Sequence, residues 1–384
     1  MNAERSRLMT SPLLSRPGAV EASGPDAGVA WHYGDPVAEQ RALAEGRGFV
    51  DQSHLGVVTV TGPDRLSWLN SLSTQEVASL APGESTEFMI LSPKGRIEHV
   101  AALVDDGDTA WLITETPEGL AEFLDRMRFM LRVEVANVSS EWAALGEAVS
   151  RPASDSEPVT WVDPWPGVTA GGTTYSVGDA GRLRPWRLVL VPREQLDAEA
   201  DARLDAGWTL AGTWAAEAER VAAHRPRAAT EVDDHSLPHE YDWLRTAVHL
   251  HKGCYRGQET VAKVHNVGRP PRRLTFLYLD GSAHVLPEAG AELTIADTGT
   301  TAGHITSVAR DREDGPIALA VIKRAVDPSA TLVAASDAGP IAATQEPIVD
   351  PSGFSVDRPP PPGPTMKGLL MGRGCAADGG DLPD

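Results

Sequence analysis

The apolar and polar positions of this chain change period several times, and each change marks an element. PVAEQRALAEG (residues 36–46) has helical spacing and stops at Gly46. VVTVTG (57–62) alternates like a strand before Pro63 opens a helix, PDRLSWLNSLS, at a position where proline's missing N–H costs nothing. Residues 85–114, STEFMILSPKGRIEHVAALVDDGDTAWLIT, are three apolar runs separated by SPKG and DDGD, which have the residues that tight turns need, and they predict an antiparallel meander. In TPEGLAEFLDRMRFML the residues Leu120, Phe123, Leu124, Met127 and Leu131 recur at helical spacing, so a helix should lay that stripe on the meander before VEVANV resumes strand.

From about 140 to 185 the pattern is weak and glycine-rich; WRLVLVP then gives a clear strand and REQLDAEADARLDAG an acidic helix. After Gly268 come RRLTFLYLDG, AELTIADTGTTAGHITSVARD and GPIALAVIKRAV, short strands cut by Gly, Asp and Pro, which predict a separate small β-barrel or sandwich. Strands and helices alternate irregularly, so the expected class is α+β. Residues 1–29 and 349–384 mix small, proline and charged residues without periodicity and read as disordered tails around a body of 30–267 and a barrel of 268–348.

The chain has 384 residues and a formal charge of −20, which opposes phosphate backbones and anionic lipid, so neither nucleic acid nor membrane is an expected direct partner. The basic run RPPRR (269–273) is read as a solvated connection with no role. No window is apolar enough to span a bilayer and no apolar signal core opens the chain, so a cytoplasmic location is expected. GxGxxG, GxxxxGK[ST] and GxSxG loops are missing from the sequence, which removes the usual nucleotide-binding and hydrolase readings.

Of two cysteines, Cys375 lies in the C-terminal tail and Cys254 in HLHKGCYRGQET (249–260). Lys252 and Arg256 place cations within two residues of Cys254, between glycines that allow close backbone approach, an environment that lowers a thiol pKa. The thiolate could act as nucleophile, metal or cluster ligand, or redox handle; an inert cysteine in a tight turn is the alternative. His249 and His251 lack an identifiable third ligand, and no intrinsic metal site is expected.

KGCYRGQE (252–259) resembles the signature of the YgfZ family, folate-binding proteins of iron–sulfur cluster metabolism. FVDQSHLGVVTVTGPDRLSWLNSLSTQEVASL (49–80) is similar to the opening of the wider superfamily that includes the aminomethyltransferase of the glycine cleavage system. LSPKGRIEHVAALVDDG and HITSVARDREDGPIALAVIKRAV resemble further segments of the family. The resemblance implies a folate-binding core of two subdomains followed by a small β-barrel, with tetrahydrofolate in a central channel beside the cysteine. It implies reduced folate and iron–sulfur client proteins or assembly factors as partners. It nominates Cys254, Lys252 and Glu98 as catalytic groups, and Arg256, Gln258, Glu259, Glu240 and His99 as cofactor-binding ones.

Two departures bear on mechanism. Glu98 and His99 stand where aminomethyltransferases carry paired aspartates, and Ala222, in Arg220–Pro226, stands where the superfamily has a pterin-contacting glutamate. Loss of that carboxylate should weaken folate binding or call for a replacement. Three readings follow: a folate-dependent factor that assembles, maintains or repairs iron–sulfur proteins; a one-carbon transferase using Glu98; and a non-catalytic scaffold built on the folate cleft.

Overall fold

The computed structural model describes residues 10–149, 158–178, 184–282, 284–337 and 339–358. The chain opens with β1 (Val20–Glu21), β2 (Ala30–His32), α1 (Pro36–Ala44), β3 (Gly48–Asp51), β4 (Gly56–Thr61) and α2 (Arg65–Leu72). The meander β5 (Ser85–Leu91), β6 (Ile97–Asp105) and β7 (Thr109–Thr114) leads into α3 (Pro117–Met127), β8 (Glu134–Asn137) and β9 (Trp142–Glu147). Next come β10 (Thr160–Val162), β11 (Arg187–Pro192), α4 (Leu196–Asp205), β12 (Thr209–Ala211), α5 (Thr213–Ala222), the single turn α6 (Ala228–Glu231) and α7 (Gln258–Asn266). Six strands finish the chain: β13 (Arg272–Leu279), β14 (Glu292–Ile295), β15 (Thr301–Asp311), β16 (Gly315–Lys323), β17 (Leu332–Ala334) and β18 (Ile341–Pro347).

The expected meander forms the middle of an antiparallel sheet of order β5-β6-β7-β4-β8. A second sheet, β10-β11-β9-β3-β12, is antiparallel except where β12 runs parallel to β3. The indole N–H of Trp161 on β10 donates to the Thr86 carbonyl on β5 at 2.8 Å, which ties the two sheets together. The last six strands close into a barrel of order β13-β16-β15-β14-β17-β18, as β18 pairs back onto β13 and leaves no open edge. The mixed helix and sheet class, with its small C-terminal barrel, is the architecture anticipated above.

α3 buries Leu120, Phe123 and Leu124 against the first sheet, but the stripe ends sooner than its spacing predicts. The helix stops at Met127, Phe129 takes a left-handed φ of 44°, and Met127 and Leu131 are solvent-exposed. The residues that would have continued the helical face instead form a projecting turn.

Both expected tails are shorter than the sequence pattern predicts. Leu13 is fully buried, the Ser11 hydroxyl bonds the Asp51 carboxylate, and Arg16 pairs with Asp201 at 2.6 Å. A few anchors hold this segment, and anchors without a repeat escape a periodicity reading. At the other end Ile348 and Val349 are fully buried, Asp350 N–H donates to the Tyr175 carbonyl at 2.7 Å, and the Phe354 ring lies between the guanidiniums of Arg269 (4.4 Å) and Arg358 (3.9 Å). Cys375 lies outside the described residues.

RPPRR is likewise no free linker. Arg272 bonds Glu240 and Asp233 at 2.8 and 2.5 Å, and Arg273 is fully buried with Gln345 at 2.7 Å. The run was read as solvated because its carboxylate partners lie more than 30 residues away. On the barrel's other flank, Arg220 of α5 donates to Ser307 of β15 at 2.6 Å and Gln40 of α1 to the Arg310 carbonyl at 2.7 Å.

Candidate functional site

The octet begins where the chain leaves a buried turn and ends in the first residues of α7. Gly257 caps α7 at φ 85°, and a Cβ there would stand 2.6 Å from the Ser92 carbonyl and 3.0 Å from the Gly95 Cα. Only glycine lets the SPKG turn between β5 and β6 touch the start of the helix so closely. Two segments quoted separately from the sequence are thus one structural unit.

Lys252 is turned away from solvent. Its ammonium donates to the carbonyls of Asn70 (2.6 Å), Ser73 (2.9 Å) and Gln75 (2.6 Å) and to the Asn70 side chain (2.9 Å). It therefore closes the loop that follows α2, and burial draws its pKa down to about 8. Arg256 pairs with Glu98 at 2.7 Å. Cys254 is exposed. The expectation that both cations serve the thiol is corrected: each is committed to other acceptors, which local sequence could not show.

The remaining nominees separate. His99 packs its ring 5.5 Å from Phe123 of α3, and burial depresses its pKa despite the neighbouring Glu98. Gln258 is half-buried and Glu259 exposed on the first turn of α7. Glu240 has no exposure; it accepts from the Leu237 N–H at 3.1 Å and from Arg272 at 2.8 Å, which makes it a structural anchor for the barrel and corrects its assignment as a cofactor ligand.

A cleft with about 170 Å³ of water-accessible space lies between the two sheets and α5. Trp161, Trp186 and Trp243 are among its walls, and none of the five nominated cofactor residues is. Its charges form a network. Arg225 bonds Glu87 at 2.7 Å and Asp163 at 3.1 Å and lies 4.8 Å from the Trp165 ring. Arg220 bonds Glu217 at 2.7 Å and Glu231 at 3.1 Å; Arg227 bonds Asp26 at 2.6 Å, Glu217 at 3.2 Å, and Glu115. Arg184 stacks over Trp186 at 4.2 Å and donates to the Ala216 carbonyl at 3.3 Å, and burial lowers it to about 10.

Five buried polar atoms of this wall have no hydrogen-bond partner among the described residues: Gln52 Oε1, His54 Nδ1, Arg184 Nε, Thr213 Oγ1 and Arg225 Nη1. Buried polar groups are nearly always satisfied, so five around one cavity mark a place for a polar guest. Ala222 packs against the core cluster and is not among the lining residues; the cavity's carboxylates come from Asp26, Glu87, Glu115, Asp163 and Glu217. The two loci share β6: Glu98, paired to Arg256, stands at the register shift between β5 and β6, two residues before the cavity-lining Val100.

Sequence reasoning missed this cavity because its residues come from ten separated segments. The available signals were the arginines of ERVAAHRPR and the tryptophans flanking the glycine-rich stretch.

Comparison with known proteins shows what this architecture resembles. Residues 21–155 match the model of the GCVT N-terminal domain. The glycine cleavage system aminomethyltransferase T from Bartonella henselae superposes with a TM-score of 0.68 over 88% of this chain and 94% of that one, at 17% identity. Residues 21–155 are thus similar to that domain, and the chain as a whole has the fold of an aminomethyltransferase. The chain is also similar to an iron–sulfur cluster assembly factor: the mitochondrial IBA57 homologue from Cryptococcus neoformans is 26% identical over 251 residues, 58% of this chain and 64% of that protein. A putative chloroplastic transferase of Arabidopsis thaliana is 24% identical over 313 residues, 72% of this chain and 65% of its own length. An aminomethyltransferase of Herpetosiphon aurantiacus is 25% identical over 300 residues, 73% and 81% of the two chains. The matched region thus spans just under two thirds of the first two relatives.

Proposed function

We propose that this chain is a folate-binding accessory factor in the assembly, maintenance or repair of iron–sulfur proteins, working in the reducing cytoplasm. The observation that carries the folate part is the set of five unpartnered polar atoms in the tryptophan-walled cavity. The amino-pyrimidinone ring of a reduced pterin is flat, can lie against an indole, and offers both donors and acceptors along its edge. Arg184, Arg225, Thr213, Gln52 and His54 would hold it, and the missing glutamate at Ala222 is offset by polar groups from other segments. When bound, tetrahydrofolate supplies a carrier for one-carbon units. The iron–sulfur part is supported by the similarity to the IBA57 homologue and by the exposed Cys254, which a partner can reach. A one-carbon transferase using Glu98 draws less support, because that carboxylate is held by Arg256.

The test is anaerobic calorimetric titration of the full chain with tetrahydrofolate and its one-carbon derivatives, beside Arg184→Met and Thr213→Val. Micromolar binding that weakens at least tenfold in Arg184→Met is expected. No heat with any reduced folate would remove the cofactor from this reading. Cys254→Ser should bind folate normally while failing to restore activity of an iron–sulfur enzyme in cells lacking the factor.

A further inference from the structure

The turn that ends α3 has no place in the fold's core or in the cavity. Residues 126–132 read RMRFMLR, three arginines and four large apolar side chains without an acid, in a chain whose net charge is −20. Phe129 is 89% exposed and Met130 83%, with Met127 and Leu131 at about 40%. The backbone is left-handed at Phe129, within this exposed tip. Burying these side chains in the protein would be favourable, so their display is a feature to be explained.

The tip is continuous with the cysteine octet. The Phe123 ring of α3 has the Arg126 guanidinium 5.8 Å from its centroid and the Arg256 guanidinium 5.7 Å from it, and Arg256 is two residues from Cys254. One surface therefore runs from the apolar tip through Arg126 and Arg256 to the exposed thiol.

We propose that this surface docks an acidic iron–sulfur protein, with Phe129 and Met130 entering an apolar depression ringed by carboxylates and Arg126 and Arg128 meeting that ring. The inference rests on the functional reading above for the nature of the partner and on the tip itself for its charge. Arg126 has no ion-pair partner among the described residues, and Arg128's pair with Asp125 (2.9 Å) is solvent-exposed and exchanged at little cost. A second copy using the same face would oppose arginine to arginine. Four apolar side chains make a small contact, suited to a client that must leave after its cluster is handled. The bound client would sit beside Cys254.

The experiment titrates the full chain with a purified acidic [4Fe–4S] ferredoxin in its apo form, at low and at moderate salt. The variants are Phe129→Asp with Met130→Asp, Arg126→Glu with Arg128→Glu, and Val20→Asp as a distant exposed control. Asp tolerates the left-handed backbone at 129, so the first pair should fold. Wild type is expected to bind with an affinity that falls with salt, both tip variants to bind at least tenfold more weakly, and the control to match wild type. Absence of wild-type binding, or equal binding by the tip variants, overturns the proposal. So does flotation of wild type with phosphatidylcholine–phosphatidylglycerol vesicles through the tip, or self-association that the tip variants abolish. Tetrahydrofolate titration of the same samples separates the two readings: lost folate binding with intact docking fails the cofactor assignment alone, and the reverse fails the docking surface alone.

Discussion

Removing the Arg272 side chain should loosen the barrel from the body in a way that depends on pH. Glu240 is fully buried, and Arg272 is its only cationic partner among the described residues, at 2.8 Å. Arg272→Met would strand that carboxylate, and breaking a buried pair from one side costs about 3–5 kcal/mol. Arg272's second pair, with Asp233, is half-exposed and adds less than about 1 kcal/mol. Because the Arg272 side chain is itself one-fifth exposed, water can reach the vacated space, so the lower end applies: about 3 kcal/mol, or about 4 °C in Tm for a chain of this size. A buried carboxylate without its cation titrates higher, so the variant's deficit should be largest above pH 7 and shrink towards pH 5, as Glu240 takes up a proton. Asp233 acts in the same sense. Burial pushes its carboxyl up, Arg272 more than reverses this, and the stability it gives wild type fades as pH falls through the acidic range. Urea unfolding at pH 5 and pH 8 measures the Glu240 effect, whereas Asp233's contribution is lost only below about pH 4; Glu240→Gln with Arg272→Met should recover part of the loss. A deficit below about 1 kcal/mol, or one equal at both pH values, would refute the argument.

Lys252→Met should destabilise by about 1–3 kcal/mol at neutral pH, since the carbonyls of the 70–75 loop lose their donor. Lys252 titrates near 8 when folded and near about 10.4 when unfolded, so wild-type stability should rise with pH between those values while the variant's does not, as chemical denaturation at pH 7.5 and 9.5 would register. Gly257→Ala should cost more than about 1 kcal/mol, from its left-handed φ and the 2.6 Å approach to Ser92, and a Tm within a degree of wild type would contradict the packing of octet on SPKG turn. Truncation after Pro347 should lower Tm by several degrees because it removes the buried Ile348 and Val349, whereas truncation after Arg358 should leave it unchanged; differential scanning fluorimetry of the two proteins decides.

Strands and the barrel were legible because half-buried sheets impose a period of two, and the octet was legible because its residues are consecutive. What stayed hidden was everything assembled across distance. Lys252 looked like an activator of its neighbour until its acceptors at 70–75 were seen, and Glu240 looked like a ligand until Arg272 was placed beside it. The cavity needed Gln52, Thr213 and Arg225 brought together by two sheets and a helix, which no local pattern encodes. Met127 and Leu131 fit a helical stripe that the backbone abandons at Phe129. Leu13 and Phe354 show that a few well-partnered anchors order a segment whose composition resembles a linker.

The parallel pairing of β12 with β3 has a consequence for synthesis. Val50 meets Ala211 across that ladder, so one edge of β3 stays without its partner until roughly 160 further residues have been made. At about 5–20 residues per second the nascent chain carries that open edge for about 8–30 s, long enough for misassembly on crowded ribosomes. Slowing translation beyond codon 211 would leave this sheet unaffected; slowing it between codons 50 and 211 would lengthen the exposure and lower the yield of folded protein.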